Sequence, residues 1–131
     1  MIIERQIARY SVFVDDNLIE ALKKIGDNKM GVIFAVSQSG KFEGMMTDGD
    51  FRRWVIENPA MDLSQSVLAV ITDDCVTVQD GTPIPEIEKL LVGKIKTIPV
   101  LDDQNHLVGV AIRRLPELRL GSFVVSEDTP T

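Results

Sequence analysis

Short apolar blocks alternate with polar ones along the chain, and they do so twice in the same order. "SVFV", Ser11 to Val14, is β-branched and aromatic, which predicts a short strand. Asp15, Asp16 and Asn17 follow as N-cap residues. Leu18, Ile19, Leu22 and Ile25 then recur at helical spacing, with Gly26 and Asn28 closing the helix. "GVIFAV" predicts a buried strand, "SQSGK" a turn, and "FEGMM" the returning strand of a hairpin. Beyond Thr47 the spacing becomes helical again, with Phe51, Trp54, Val55 and Ile56 as an apolar stripe that ends before Pro59. Residues 61–74 predict a connector with one short packed segment. "CVTV", Cys75 to Val78, predicts a strand. Thr82 is expected to cap a helix with Pro83 at its first position, running to Gly93, and Pro85 is tolerable in its first turn. "KTIPVLD" and "LVGVAI" predict a second hairpin around the turn "DQNH". The first ten residues show no clear period and predict a lead-in, either strand or helix.

The second half repeats the first. A constant offset of 65 superimposes the two hairpins, placing Gly44 on Gly109 and Val36 on Leu101. The expected fold class is α+β, built from two β-α-β-β repeats packed as a pseudo-two-fold pair. Residues 11–60 form the first repeat and 75–116 the second. Residues 1–10 lead in, 61–74 connect, and 117–131 run on as a linker toward a further C-terminal domain. A half of about 60 residues buries too little surface to be comfortable alone, so the two are expected to pack together and leave clefts between them.

Composition narrows the function. At 44% hydrophobic and 26% charged, the chain is globular rather than disordered. A net charge of −6 argues against gripping a nucleic-acid backbone, which needs clustered cations. No apolar run is long enough to span a membrane, and the N-terminus lacks a signal-peptide plan. Cys75, the only cysteine, permits no internal disulfide and fits a cytoplasmic location. His106, the only histidine, lies in a polar turn and is expected to be solvated.

"GMMTDGDFRRW", Gly44 to Trp54, is the stretch that carries chemistry. Thr47 followed by Asp50 has capping-box spacing, which needs no ligand to explain it. The same geometry offers first-turn amides and a hydroxyl to a phosphate, and a carboxylate to both hydroxyls of a ribose. Thr47 and Asp50 are therefore candidates for a ribose-phosphate clasp. Gly49 keeps the first turn free of side chains, and Arg52 and Arg53 either add charge or are solvated. The second repeat has Ile112 and Leu115 at the equivalent positions, which predicts one competent site per chain, although Arg113 and Arg114 offer some other anion site. Glu43, Asp48 and Asp50 are conceivable acid–base groups, but no nucleophile–base pair and no P-loop accompany them, so a stand-alone enzyme is not expected.

The repeat order, the "Gly-apolar-apolar-Thr-x-x-Asp" of Gly44 to Asp50 and the "IPVLDDQNHLVGV" of the second half together resemble a tandem CBS-domain pair, over Ser11 to Leu115. The resemblance implies that the clasp faces the first strand and pre-"Pro-Val" loop of the other repeat. Here those are Val76, Thr77 and Val78, and "KIKTIP" from Lys94 to Pro99. Lys94 and Lys96 alternate with Ile95, which puts both ammonium groups on one side. Met45, Val76 and Ile98 are expected to sandwich a base, unless they are ordinary core. The implied ligand is an adenine nucleotide (AMP, ADP or ATP), S-adenosylmethionine or a nucleotide sugar, sensed by a non-catalytic regulatory module. "TDGDFRR" is similar to CBS pairs attached to enzymes of bacterial surface-sugar metabolism. "GSFVVSEDTPT" resembles the lead-in to sialic-acid-type synthases, implying a C-terminally fused enzyme domain. The alternative is a ligand-free dimerisation module, a homodimer formed through Trp54, Val55 and the "LLV" of the second repeat's helix.

Overall fold

The computed structural model describes residues 1–113, 118–120 and 123–125. The first repeat is a three-stranded sheet, β2 (Ser11–Phe13), β3 (Val32–Val36) and β4 (Phe42–Thr47), with helices α1 (Leu18–Asn28) and α2 (Asp48–Glu57). β3 lies in the middle, parallel to β2 and antiparallel to β4. Asn17 caps α1, its side chain accepting from the Glu20 amide at 2.9 Å. Leu18, Ala21 and Ile25 bury against Ile33, Ala35 and Met46. Alternation along β3 sends Val32, Phe34 and Val36 to the opposite face, where they meet Leu101, Leu107 and Val110 of the second repeat. That shared core binds the two halves together, as a 60-residue unit requires.

Asn28 fixes the end of α1. Its amide donates to the Arg9 and Val32 carbonyls at 3.1 Å each, and its Oδ1 accepts from the Met30 amide at 2.8 Å. Buried polar groups need such partners. These bonds hold the short loop from Lys29 to Gly31, which becomes part of the wall described below.

The second repeat forms the sheet β1-β7-β6-β5, from β1 (Ile2–Glu4), β5 (Val78–Gln79), β6 (Thr97–Leu101) and β7 (Leu107–Ile112), with α3 (Ile84–Leu90). Its hairpin register matches the first at the offset of 65. Val32↔Thr47 becomes Thr97↔Ile112, Ala35↔Gly44 becomes Val100↔Gly109, and a bulge falls at the same place in both. The two hairpin tips bond reciprocally. Phe42 N–H donates to Asn105 O at 2.9 Å, and Leu107 N–H donates to Gly40 O at 3.0 Å. Both bonds map onto each other under the offset, so the pseudo-two-fold axis runs between Lys41 and His106, which form an isolated antiparallel bridge. His106 is not simply solvated, since its ring lies 3.1 Å from the Asp102 carboxylate.

The segments preceding the repeats are exchanged. β1, ahead of the first repeat, pairs with β7 of the second, Glu4 opposite Val110. Thr72, ahead of the second repeat, pairs with Met45 of β4 in the first. Three expectations need correction. "CVTV" is a strand only from Val78, because the Thr72 hydroxyl and the Asp73 carbonyl turn the chain back on the Asp74 and Cys75 amides. Thr82 does not cap α3, since its hydroxyl and amide both return to the Gln79 carbonyl at 2.7 and 3.0 Å. The helix begins at Ile84, after Pro83, and ends at Leu90 rather than near Gly93. In the tail, β8 (Leu118–Leu120) pairs antiparallel with β9 (Phe123–Val125). The rest of the expected linker, and Arg114 and Leu115 at the end of the second repeat, lie outside the described residues.

Candidate functional site: a cleft between the repeats

Thr47 ends β4 and caps α2. Its hydroxyl oxygen accepts from the Asp50 amide at 3.0 Å, and Asp50 Oδ2 accepts from the Thr47 amide at 2.9 Å, closing the capping box. Among the described residues the Thr47 hydroxyl donates to no acceptor, so its proton is available. The Asp48 amide donates to Gly31 O at 3.1 Å, tying the helix start to the loop before β3. Gly49's amide has no intrahelical acceptor by position, and Gly49 lines a cleft.

That cleft has a volume of about 430 Å³, within the usual range of small-molecule sites, about 300–1,000 Å³. The first repeat supplies Met45, Thr47, Asp48 and the loop at Met30 and Gly31. The second supplies Asp74, Cys75 and Val76 before β5, and Lys94 to Thr97 before β6. Met30, Gly31 and Val32 are the repeat equivalents of Ile95, Lys96 and Thr97 at the offset of 65. The two equivalent pre-strand loops thus both line the cleft.

Of the residues expected from sequence, Met45, Thr47, Val76, Lys94 and Lys96 come together here. Asp50, Thr77, Ile98 and Pro99 stand outside the lining. Ile98 is fully buried against Ile87 and Leu91 in the second repeat's own core, because alternation along β6 turns residues 98 and 100 toward α3. Pro99 is also fully buried, opposite Val110 in β7. Thr77 is exposed, just short of β5. Asp50 is one turn into α2, its Oδ2 held by the cap and its Oδ1 by Arg53. Ile95 comes with the stretch Lys94 to Pro99 and Asp48 with the helix start, whereas Met30, Gly31, Val32, Asp74 and Cys75 were not foreseen. The offset alone would have found Met30 and Gly31, applied to the lysine-bearing loop.

Charge in the cleft is mixed. Lys94 and Lys96 are both exposed, and among the described residues neither lies within ion-pair distance of a carboxylate. Asp48 and Asp74 share the lining. Burial first, then Asp73 and Asp74, push the Cys75 thiol above its ordinary pKa. Cys75 is therefore a poor nucleophile near neutral pH. Such a cleft offers cations to a phosphate, carboxylates to hydroxyls, and Met45, Val76 and Ile95 to a flat apolar ring. Among the described residues, no group of three or more metal-ligating side chains occurs, and no helix is long and apolar enough to cross a membrane.

Comparison with known proteins places these features in a family. The model of the CBS domain matches residues 5–57 and again 67–114. A probable arabinose 5-phosphate isomerase of Haemophilus influenzae is 28% identical over 95 residues, covering 72% of this chain and 28% of that protein. Across the named isomerases matched, the chain spans 28% to 33% of their length. CBSX2, solved in complex with AMP, superposes with a TM-score of 0.69 at 20% identity, covering 84% of each chain. The CbpB protein of Listeria monocytogenes, solved in complex with c-di-AMP, superposes with a TM-score of 0.64 at 22% identity, covering 79% of each chain. At these identities the structural likeness concerns the fold.

Proposed function

The chain belongs to the CBS domain family as a tandem pair, and on that premise we propose that it is a regulatory nucleotide-binding module. One observation carries this: Thr47 of one repeat and Lys94 and Lys96 of the other line a single cleft. A phosphate sits at the Thr47 hydroxyl and the Gly49 amide, with the two lysines opposite. The base, of an adenine nucleotide or a nucleotide sugar, lies against Met45 and Val76. Asp50 takes the ribose hydroxyls by exchanging Arg53 for them. The Arg53 side chain is 67% exposed, and exposed ion pairs contribute little, so the exchange is cheap.

Because both repeats contribute to the site, ligand stabilises one arrangement of the pair over others, and that differential affinity is what a linked enzyme would sense. The chain itself is not catalytic in this account. The similarity to part of arabinose 5-phosphate isomerases supports attachment to a sugar-phosphate enzyme. The single cysteine fits a cytoplasmic location for the module. A second reading, a ligand-free homodimer, is favoured by α2. That helix fully buries none of its residues, and it leaves Ile56 73% exposed.

Calorimetric titration with AMP, ADP, ATP, S-adenosylmethionine and cytidylyl sugars separates the two. The sensor binds at least one of them at one site per chain. Asp50→Asn weakens it, while Arg53→Ala leaves affinity unchanged or higher. Heat from none of them, with a constant dimer by light scattering, favours the interaction module. An Arg53→Ala loss equal to that of Asp50→Asn would contradict the proposed exchange.

A further inference from the structure

The cleft does not stop at Lys96. A second cavity of about 490 Å³ lies behind it, reaching along the end of α1 to Ile25, Gly26 and Lys29. The two cavities have Met30, Gly31, Asp48 and Lys96 in common. Lys96, the Asp48 carboxylate and Gly31, which carries no side chain, stand where the two meet. At the Gly31 φ of +73° most residues would be strained, and a Cβ there would stand 3.5 Å from Asp48 Oδ2.

Lys29 is set at the far end by backbone geometry. It is the left-handed C-cap of α1, φ 61°, with its amide donating to Ile25 O at 3.1 Å. Its side chain is exposed, and no carboxylate among the described residues lies within ion-pair distance. Lys23 and Lys24 of the same helix are engaged instead, with Glu20 and with the Ala8 and Ser11 carbonyls. Lys29 is also the repeat equivalent of Lys94. Two equivalent lysines thus stand at opposite ends of the combined site, with Lys96 at the junction.

We infer that the two cavities form one bent site for a nucleotide carrying a second anionic group beyond the phosphate at Thr47. The first phosphate lies between Thr47 and Lys94. The chain of the ligand crosses at Gly31, where the Lys96 ammonium offsets the Asp48 carboxylate, and the distal anion meets Lys29. A nucleoside diphosphate or a longer ligand fills this site, and a monophosphate fills half of it. The inference rests on the nucleotide reading of the first cavity and adds a length requirement to it.

The test compares AMP with ADP, and CMP with CDP, by calorimetry on the whole chain and on Lys29→Ala, with Lys23→Ala as a control for general charge. The diphosphate is expected to bind about tenfold more tightly than its monophosphate, the scale of one charge-assisted contact. Lys29→Ala is expected to erase most of that ratio while leaving monophosphate affinity within about twofold, and Lys23→Ala to leave the ratio intact. Equal affinity of mono- and diphosphate in the unmodified chain would overturn the inference while leaving the nucleotide site standing. So would an equal loss for both ligands on Lys29→Ala. Absence of binding by all four would overturn the inference, and the nucleotide reading falls with it when ATP, S-adenosylmethionine and the cytidylyl sugars fail as well.

Discussion

Replacing Lys94 and Lys96 together by alanine is expected to remove most of the nucleotide affinity and almost none of the stability. The two lysines line the same cleft as Thr47, and they hold no ion pair among the described residues. A hydrogen bond to a charged group contributes about 1.5–3 kcal/mol, and about 1.4 kcal/mol is tenfold in affinity. Both lysines are solvent-exposed and screened by salt, so each single variant should lose about tenfold and the pair more. Asp48 and Asp74 amplify the loss, because without the lysines they repel the incoming phosphate. The unliganded melting temperature should stay within about 1 °C, since surface changes of this kind move stability little. Calorimetry and a thermal melt on the same samples check both halves. Unchanged affinity would mean that the phosphate is held elsewhere.

Gly44→Ala is expected to have the largest effect on stability. A Cβ at Gly44 would lie 2.7 Å from the Thr72 carbonyl oxygen and 3.3 Å from Ile71 Cδ1. Thr72 cannot step aside cheaply, because it exchanges two backbone hydrogen bonds with Met45, at 2.8 and 2.9 Å. Forcing such a contact costs about 1–3 kcal/mol, or several degrees of melting temperature at this size. The equivalent Gly109→Ala should cost clearly less. Its Cβ would meet the flexible end of Arg5 at 3.2 Å and nothing closer. Thr72 leads directly into Asp74 and Cys75, so Gly44→Ala should weaken nucleotide binding as well. Equal destabilisation by the two substitutions, read by denaturant melts, would contradict this account of the swapped connector.

The glycine shows how far the sequence carried and where it stopped. The hairpins, their common offset and the capping box at Thr47 were legible because each depends on local spacing. What lies against Gly44 was not legible, since a single bridge at Thr72 leaves no periodic signal. The same holds for β1, whose three residues join the other repeat's sheet through Glu4 and Val110. Ile98 proved to be ordinary core, the alternative left open for it, for a related reason. Alternation from Lys96 fixes which residues share a face, but not which face a strand turns to the partner repeat. Asp50 was correctly tied to Thr47 as a cap, and it stands outside the cleft lining with its two oxygens held by the Thr47 amide and by Arg53. The loop at Met30 and Gly31 was within reach, because repeat symmetry maps the lysine-bearing segment onto it.

Cys75 allows the most direct measurement. It is the only cysteine in the chain and lines the cleft. Its raised pKa calls for mildly alkaline conditions, where the thiolate is populated enough to be alkylated at a measurable rate. Saturating nucleotide is expected to slow alkylation of Cys75 several-fold in the unmodified chain, and to do so much less when Lys94 and Lys96 are both alanine. A nucleotide that binds by calorimetry yet leaves the Cys75 rate unchanged would show that the ligand sits outside this cleft.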